Sequence, residues 1–142
     1  MTTIRMLPIL LLLCSPLSAL AGKDRITALD RSNGVNFKDM ALASCIAQAY
    51  KGSAAGKDAV DTSATYLEWT YYDVDKGNHA IDQLVDKYLR RDYSTPVEGY
   101  ADAKFDLLKC LDMYHSPELD EQVLKYVPHP DWVGDKPPKH KK

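Results

Sequence analysis

Three cysteines, four histidines and 20 acidic side chains are the groups in this 142-residue chain that could ligate a metal, attack a bond or carry a proton. The histidines stand at 79, 115, 129 and 140, and none lies three or four residues from another or from a cysteine. Metal ligation from one helix face needs that spacing, so no metal site is expected and no cofactor is implied. The chain holds no CxxCH, no CxxC, no GxSxG and no glycine-rich phosphate loop. Carboxylates are plentiful, but they fall on helix faces that water would cover anyway, so no acid–base pair stands out. A thiol nucleophile would have to be Cys45 or Cys110, and a disulfide would consume both. The expectation is a protein that performs no reaction.

Cys14 lies in a segment that reads as a secretory signal peptide. Arg5 precedes an apolar run from Met6 to Leu13, Pro16 breaks it, and Ala19-Leu20-Ala21 places small residues where a signal peptidase reads. The run is far shorter than the roughly 20 residues needed to span a bilayer, and Leu13 before Cys14 argues against a lipoprotein. Cleavage is expected after Ala21, with export to the periplasm. Cys45 and Cys110 then remain, and in an oxidising compartment they permit one pairing, with two buried free thiols as the alternative. Each stands mid-helix on an apolar face, so the bond would staple a first helix to a fourth.

The helices that must present these cysteines are legible from periodicity. In Ala103–Tyr114, Phe105, Leu108, Leu111 and Met113, flanked by Leu107, Cys110 and Tyr114, form a wide apolar arc and predict a core helix over about 100–115. Phe37, Met40, Ala41, Cys45 and Ala49 predict a first helix over about 36–51, capped by Asn36, after a loose arm containing the turn dipeptide Asn33-Gly34. A second helix, about 57–72, carries Val60, Ala64, Leu67 and Tyr71 on one side, with Tyr66, Trp69 and Tyr72 as a core or dimer cluster. A turn through Gly77 leads to a third, capped by Asn78, with Ile81, Leu84, Val85, Tyr88 and Leu89 buried and Arg90-Arg91 at its negative pole. Ser116-Pro117-Glu118 opens a fifth. Nothing alternates as strand. The fold class expected is all-α, a compact single-domain bundle of about five helices with one disulfide.

Four stretches follow: residues 1–21 as signal peptide, 22–35 as arm, 36–134 as helical domain and 135–142 as a disordered basic tail. After cleavage 17 Lys and Arg face 20 Asp and Glu, a charge of −3, and without the tail the body stands at −6. An acidic body suits a basic protein partner better than nucleic acid or an anionic membrane, although ordinary solubility charge accounts for it as well.

Four blocks carry a resemblance. Phe37–Ala47 (FKDMALASCIA), Glu68–Asp73 (EWTYYD), Tyr88–Tyr93 (YLRRDY) and Lys104–Ser116 (KFDLLKCLDMYHS) resemble, in order and spacing, the immunity proteins of type VI secretion amidase effectors. The resemblance covers roughly Asn36 to Val127. It implies a periplasmic immunity protein, all-helical and homodimeric, that binds a cognate cysteine–histidine peptidoglycan amidase in a two-plus-two complex. It would occlude the active-site cleft and protect the producer from self and sibling intoxication.

On that reading Asp82, Asp86, Arg90, Arg91, Tyr93 and Glu98, from the exposed face of the third helix and the loop after it, are the expected effector-binding residues. The blander reading has the two arginines neutralising a helix end and the two aspartates solvated. Two other functions fit parts of the pattern. One is inhibition of another cell-wall hydrolase such as a lysozyme; the other is a periplasmic small-ligand module, favoured only if Tyr66, Trp69 and Tyr72 line a pocket.

Overall fold

In the computed structural model, which describes residues 24–94, 98–100 and 102–138, side-chain caps decide where the helices begin. Ser32 opens α1 (Asn33–Ala49), Ser53 opens α2 (Ala54–Trp69), Asp73 opens α3 (Val74–Leu89) and Ser116 opens α5 (Pro117–Tyr126), each accepting a bond from a backbone N–H in the first turn. Each such cap contributes about 1 kcal/mol. Between α3 and α5 lies α4 (Asp106–Tyr114), which has no side-chain cap and starts from Phe105 in the left-handed region at φ 54°. A short 3-10 turn, Thr27–Asp30, precedes α1. The architecture is all-α: five α-helices and no strand among the described residues, with Cys45 bonded to Cys110 across α1 and α4. The stretch expected to be a signal peptide, residues 1–21, and residues 139–142 lie outside the described residues.

The caps move several expected boundaries. Helix α1 starts at Asn33 instead of Asn36, and α2 at Ala54 instead of 57, because Ser32 and Ser53 supply the cap oxygens. Asn33 and Gly34 form no turn. They are the buried first turn of α1, where the Asn33 side chain donates to the carbonyls of His129 (3.3 Å) and Gly134 (2.7 Å) and accepts from the Tyr71 amide (3.0 Å). Gly34 donates its N–H to Pro130 O at 2.9 Å, and a Cβ there would sit 3.2 Å from Pro130 and Val123. Gly77 is likewise helical. Asp73 caps α3 four residues before it, and the glycine is required because a Cβ would lie 2.7 Å from the Tyr72 ring.

The core gathers around α1, which touches all four other helices. Phe37, Met40, Ala41 and Cys45 meet Ile81, Leu84, Val85 and Tyr88 of α3, Cys110 and Met113 of α4, and Leu119, Val123 and Val127 at α5. Tyr72, from the α2–α3 connection, packs edge-on against Phe37 at 5.4 Å. Helix α2 joins differently. Only Gly56 and Ala59 of it are buried, and Ser63 meets Ser44 across the α1–α2 seam at 2.8 Å. Its expected apolar side is therefore on the outside, with Val60, Leu67 and Tyr71 exposed, because small residues let the two backbones approach.

Helix α4 also departs from expectation. It is nine residues long, and its buried positions are Lys109, Cys110 and Met113, whereas Leu107, Leu108 and Leu111 are exposed. A helix this short, pinned by Cys110, turns one narrow face to α1 and α3. The C-terminal segment crosses the start of α1, where Trp132 stacks on His129 at 3.9 Å. Beyond it Val133 and Lys136 exchange backbone hydrogen bonds at 3.1 Å, so Asp135 and Lys136 of the expected tail close a turn.

Candidate functional site

Helix α3 is amphipathic because its apolar residues recur at helical spacing: Ile81, Leu84, Val85 and Tyr88 face the core. The opposite face is left to Asp82, Gln83 and Lys87, which are exposed, and Asp86, which is half-buried. Asp82, Asp86 and Arg90 follow one another at four-residue steps, one above the other along this face. The Asp86 carboxylate accepts from Gln48 Nε2 at 2.6 Å, and its other oxygen lies 3.6 Å from Arg90. Arg90 closes the helix, its amide bonded to Asp86 O at 3.2 Å, with three-quarters of its side chain in solvent.

Past Arg90 the chain turns onto α4 and α5. The Arg91 guanidinium lies over the Tyr88 ring at 3.5 Å and 3.9 Å from Glu118, which also pairs with Lys87. Tyr93 donates its hydroxyl to Asp112 at 2.6 Å. That bond to a carboxylate, with some burial, raises the Tyr93 phenol above its ordinary pKa. Glu98 is exposed in a turn with Gly99 at φ 89°, and Tyr100 tilts toward Phe105 at 6.5 Å.

The structure thus brings Asp82, Asp86 and Arg90 onto one ridge. It places Arg91 and Tyr93 at the ridge's end, partly engaged with the body, and Glu98 in a separate turn. Sequence reasoning missed Lys109 and Asp112, which meet this segment from α4. The signal for Lys109 was present but inverted, since a lysine within an apolar arc reads as a solvated break. Also missed was an open cleft of about 530 Å³ lined by Tyr50, Phe105, Leu107, Leu108 and Leu111.

Elsewhere, Asp39 accepts from Arg31 (2.7 Å), Tyr66 (3.2 Å) and Tyr114 (3.2 Å). Burial first, and the Asp39 charge second, raise both phenols above their usual range. This cluster ties the N-terminal segment to α1, α2 and α4. Tyr66, Trp69 and Tyr72 do not share a pocket: Tyr72 is in the core, while Tyr66 and Trp69 edge a cleft of about 370 Å³ with Asp58 and Asp61. Among the described residues, no three His, Cys, Asp or Glu side chains gather as a metal site, and no helix is long and apolar enough to cross a membrane.

Comparison with known proteins gives a consistent result. The family model Tai4, described as "Type VI secretion system (T6SS), amidase immunity protein", matches residues 35–123. Among solved structures, one reported under "New Type VI-secreted toxins and self-resistance proteins in Serratia marcescens" is 28% identical with a TM-score of 0.70, over 84% of this chain and 96% of that one. A chain from "Structure of the effector - immunity system Tae4 / Tai4 from Salmonella typhimurium, selenomethionine variant" is also 28% identical, with a TM-score of 0.63 over 72% of this chain and 96% of that one. No curated protein sequence matches.

Proposed function

The chain belongs to the Tai4 family of type VI secretion system amidase immunity proteins, and on that premise we propose that it binds a cognate peptidoglycan amidase effector and inhibits it by covering its active-site cleft. The observation that carries this reading is the family match across α1 to α4 and into α5, in register with a helical fold shared at TM-scores of 0.63 and 0.70. Export through the signal-like N-terminus would put the protein in the periplasm, where an incoming cell-wall amidase acts. There it would protect the producer and its siblings.

The inhibitory surface in this reading is the α3 ridge, Asp82, Asp86 and Arg90, continued by Arg91, Tyr93 and Glu98. A cysteine–histidine amidase offers a groove, and a convex helix edge followed by a projecting turn is a shape that fills one. Exposed apolar side chains on α2 (Val60, Leu67), on the connection after it (Tyr71) and on α4 (Leu107, Leu108, Leu111) support a homodimer, giving two effectors on one immunity dimer. Charge reversal tests the ridge. Asp86→Lys and Glu98→Lys should each weaken binding to the cognate amidase by roughly tenfold or more in calorimetry. Unchanged affinity in both would remove the ridge from the interface.

A further inference from the structure

Among the described residues Lys109 is the one buried charged side chain, 6% exposed. Its Nζ donates to Leu89 O at 3.3 Å and to Asp106 Oδ1 at 3.1 Å, and stands 5.9 Å from the Tyr93 ring centre. Leu89 is the last residue of α3, so its carbonyl is one of those that no intrahelical N–H can satisfy. An ammonium there suits the negative end of the helix. Packing alone would favour Met, which fills the same space without desolvating a charge. What the lysine adds is direction, since it fixes the last turn of α3 against the first turn of α4.

One turn further along α4, Asp112 holds the Tyr93 hydroxyl at 2.6 Å. The two α4 side chains therefore grip both ends of the short segment Leu89–Tyr93. Between the grips, Arg91 lies over the Tyr88 ring, while Arg90 projects into solvent. A segment held this way has little freedom left to lose when a partner binds it.

We propose that Lys109 and Asp112 are positioning residues that preorganise Arg90–Tyr93 for the effector, an inference that rests on the amidase-binding reading above. Neither needs to touch the amidase to act. Releasing a preorganised binding segment typically costs affinity on the order of tenfold.

The test uses the mature chain and its Tyr93→Phe, Asp112→Ala, Tyr93→Phe/Asp112→Ala, Lys109→Met and Lys109→Arg variants. Amide exchange at residues 91–94 is read in the free protein, and binding kinetics are read against the cognate amidase. Tyr93→Phe and Asp112→Ala should each speed exchange and weaken binding by about tenfold, with the double variant no worse than either. Lys109→Met should do the same, and Lys109→Arg should restore both readouts, which a merely structural lysine would not require. Wild-type exchange in every variant, wild-type affinity despite faster exchange, or additive losses in the double variant would each overturn the proposal. The exchange arm needs no effector. An unaltered protein that fails to bind the amidase would overturn the functional reading, and with it the purpose assigned to a tether the exchange data still report.

Discussion

Cutting the Cys45–Cys110 bond by Cys45→Ala should lower thermal stability by an amount that the closed loop sets. The two residues are 65 apart in sequence, with Cα atoms 5.6 Å apart and neither residue exposed. Loop-closure entropy for that span amounts to about 4 kcal/mol. For a domain of this size each kcal/mol corresponds to about 4 °C, so the midpoint should fall by roughly 15 °C. Scanning calorimetry of residues 22–142 without reductant, alongside Cys110→Ala and the double variant, checks the reasoning. Either single change destroys the same bond, so the three midpoints should nearly coincide. The second lost sulfur adds at most about 1 kcal/mol of cavity cost. Two single losses that sum to the double loss would refute a shared covalent tie.

Two further substitutions probe the packing. Gly56→Ala should destabilise by about 2 kcal/mol in urea unfolding, despite alanine's better helix propensity, because its Cβ would meet the Tyr50 carbonyl oxygen at 2.2 Å. Stability equal to wild type would mean that the α1–α2 connection can shift. Burial pushes the Tyr72 phenol up to about 12, against the opposing effect of its bond to Asn78. Its folded pKa thus exceeds the unfolded value, so its contribution is intact below about pH 10 and is lost as pH rises toward 12. Tyr72→Phe should be less stable by about 1 kcal/mol at pH 8, having lost the bond to Asn78, and the gap should narrow in urea midpoints taken near pH 11. A gap that widens there would contradict the assignment.

The parts of this fold that were legible in the chain are those decided locally. Ile81, Leu84, Val85 and Tyr88 repeat at helical spacing and are buried as expected, and Ser116-Pro117 opens α5 as its residue types imply. The disulfide followed from having two cysteines on apolar helix faces. The four blocks that suggested the family all lie within the span its model matches, residues 35–123. What was not legible depends on distant partners. Asn33-Gly34 has the composition of a turn, and its burial is decided by the carbonyls of His129, Pro130 and Gly134, about a hundred residues later. Gly77 resembles a loop residue until the Tyr72 ring is set against it. On α4 the apolar arc has more leucine than its neighbours can cover, and the buried place went to Lys109 because the end of α3 presents an unpaired carbonyl there. The ridge residues are polar side chains on the outer face of α3, with Asp86 half-buried against Gln48, and periodicity marks only that this face turns from the core.

The central claim is that this protein acts by covering another protein's catalytic groove. The most direct measurement titrates the purified protein, residues 22–142, into the cognate peptidoglycan amidase assigned to it under this reading and follows cleavage of cell-wall fragments. Activity should fall linearly to zero at one immunity chain per amidase. An amidase that stays fully active in stoichiometric excess, or a chain that cleaves the substrate unaided, would contradict the account.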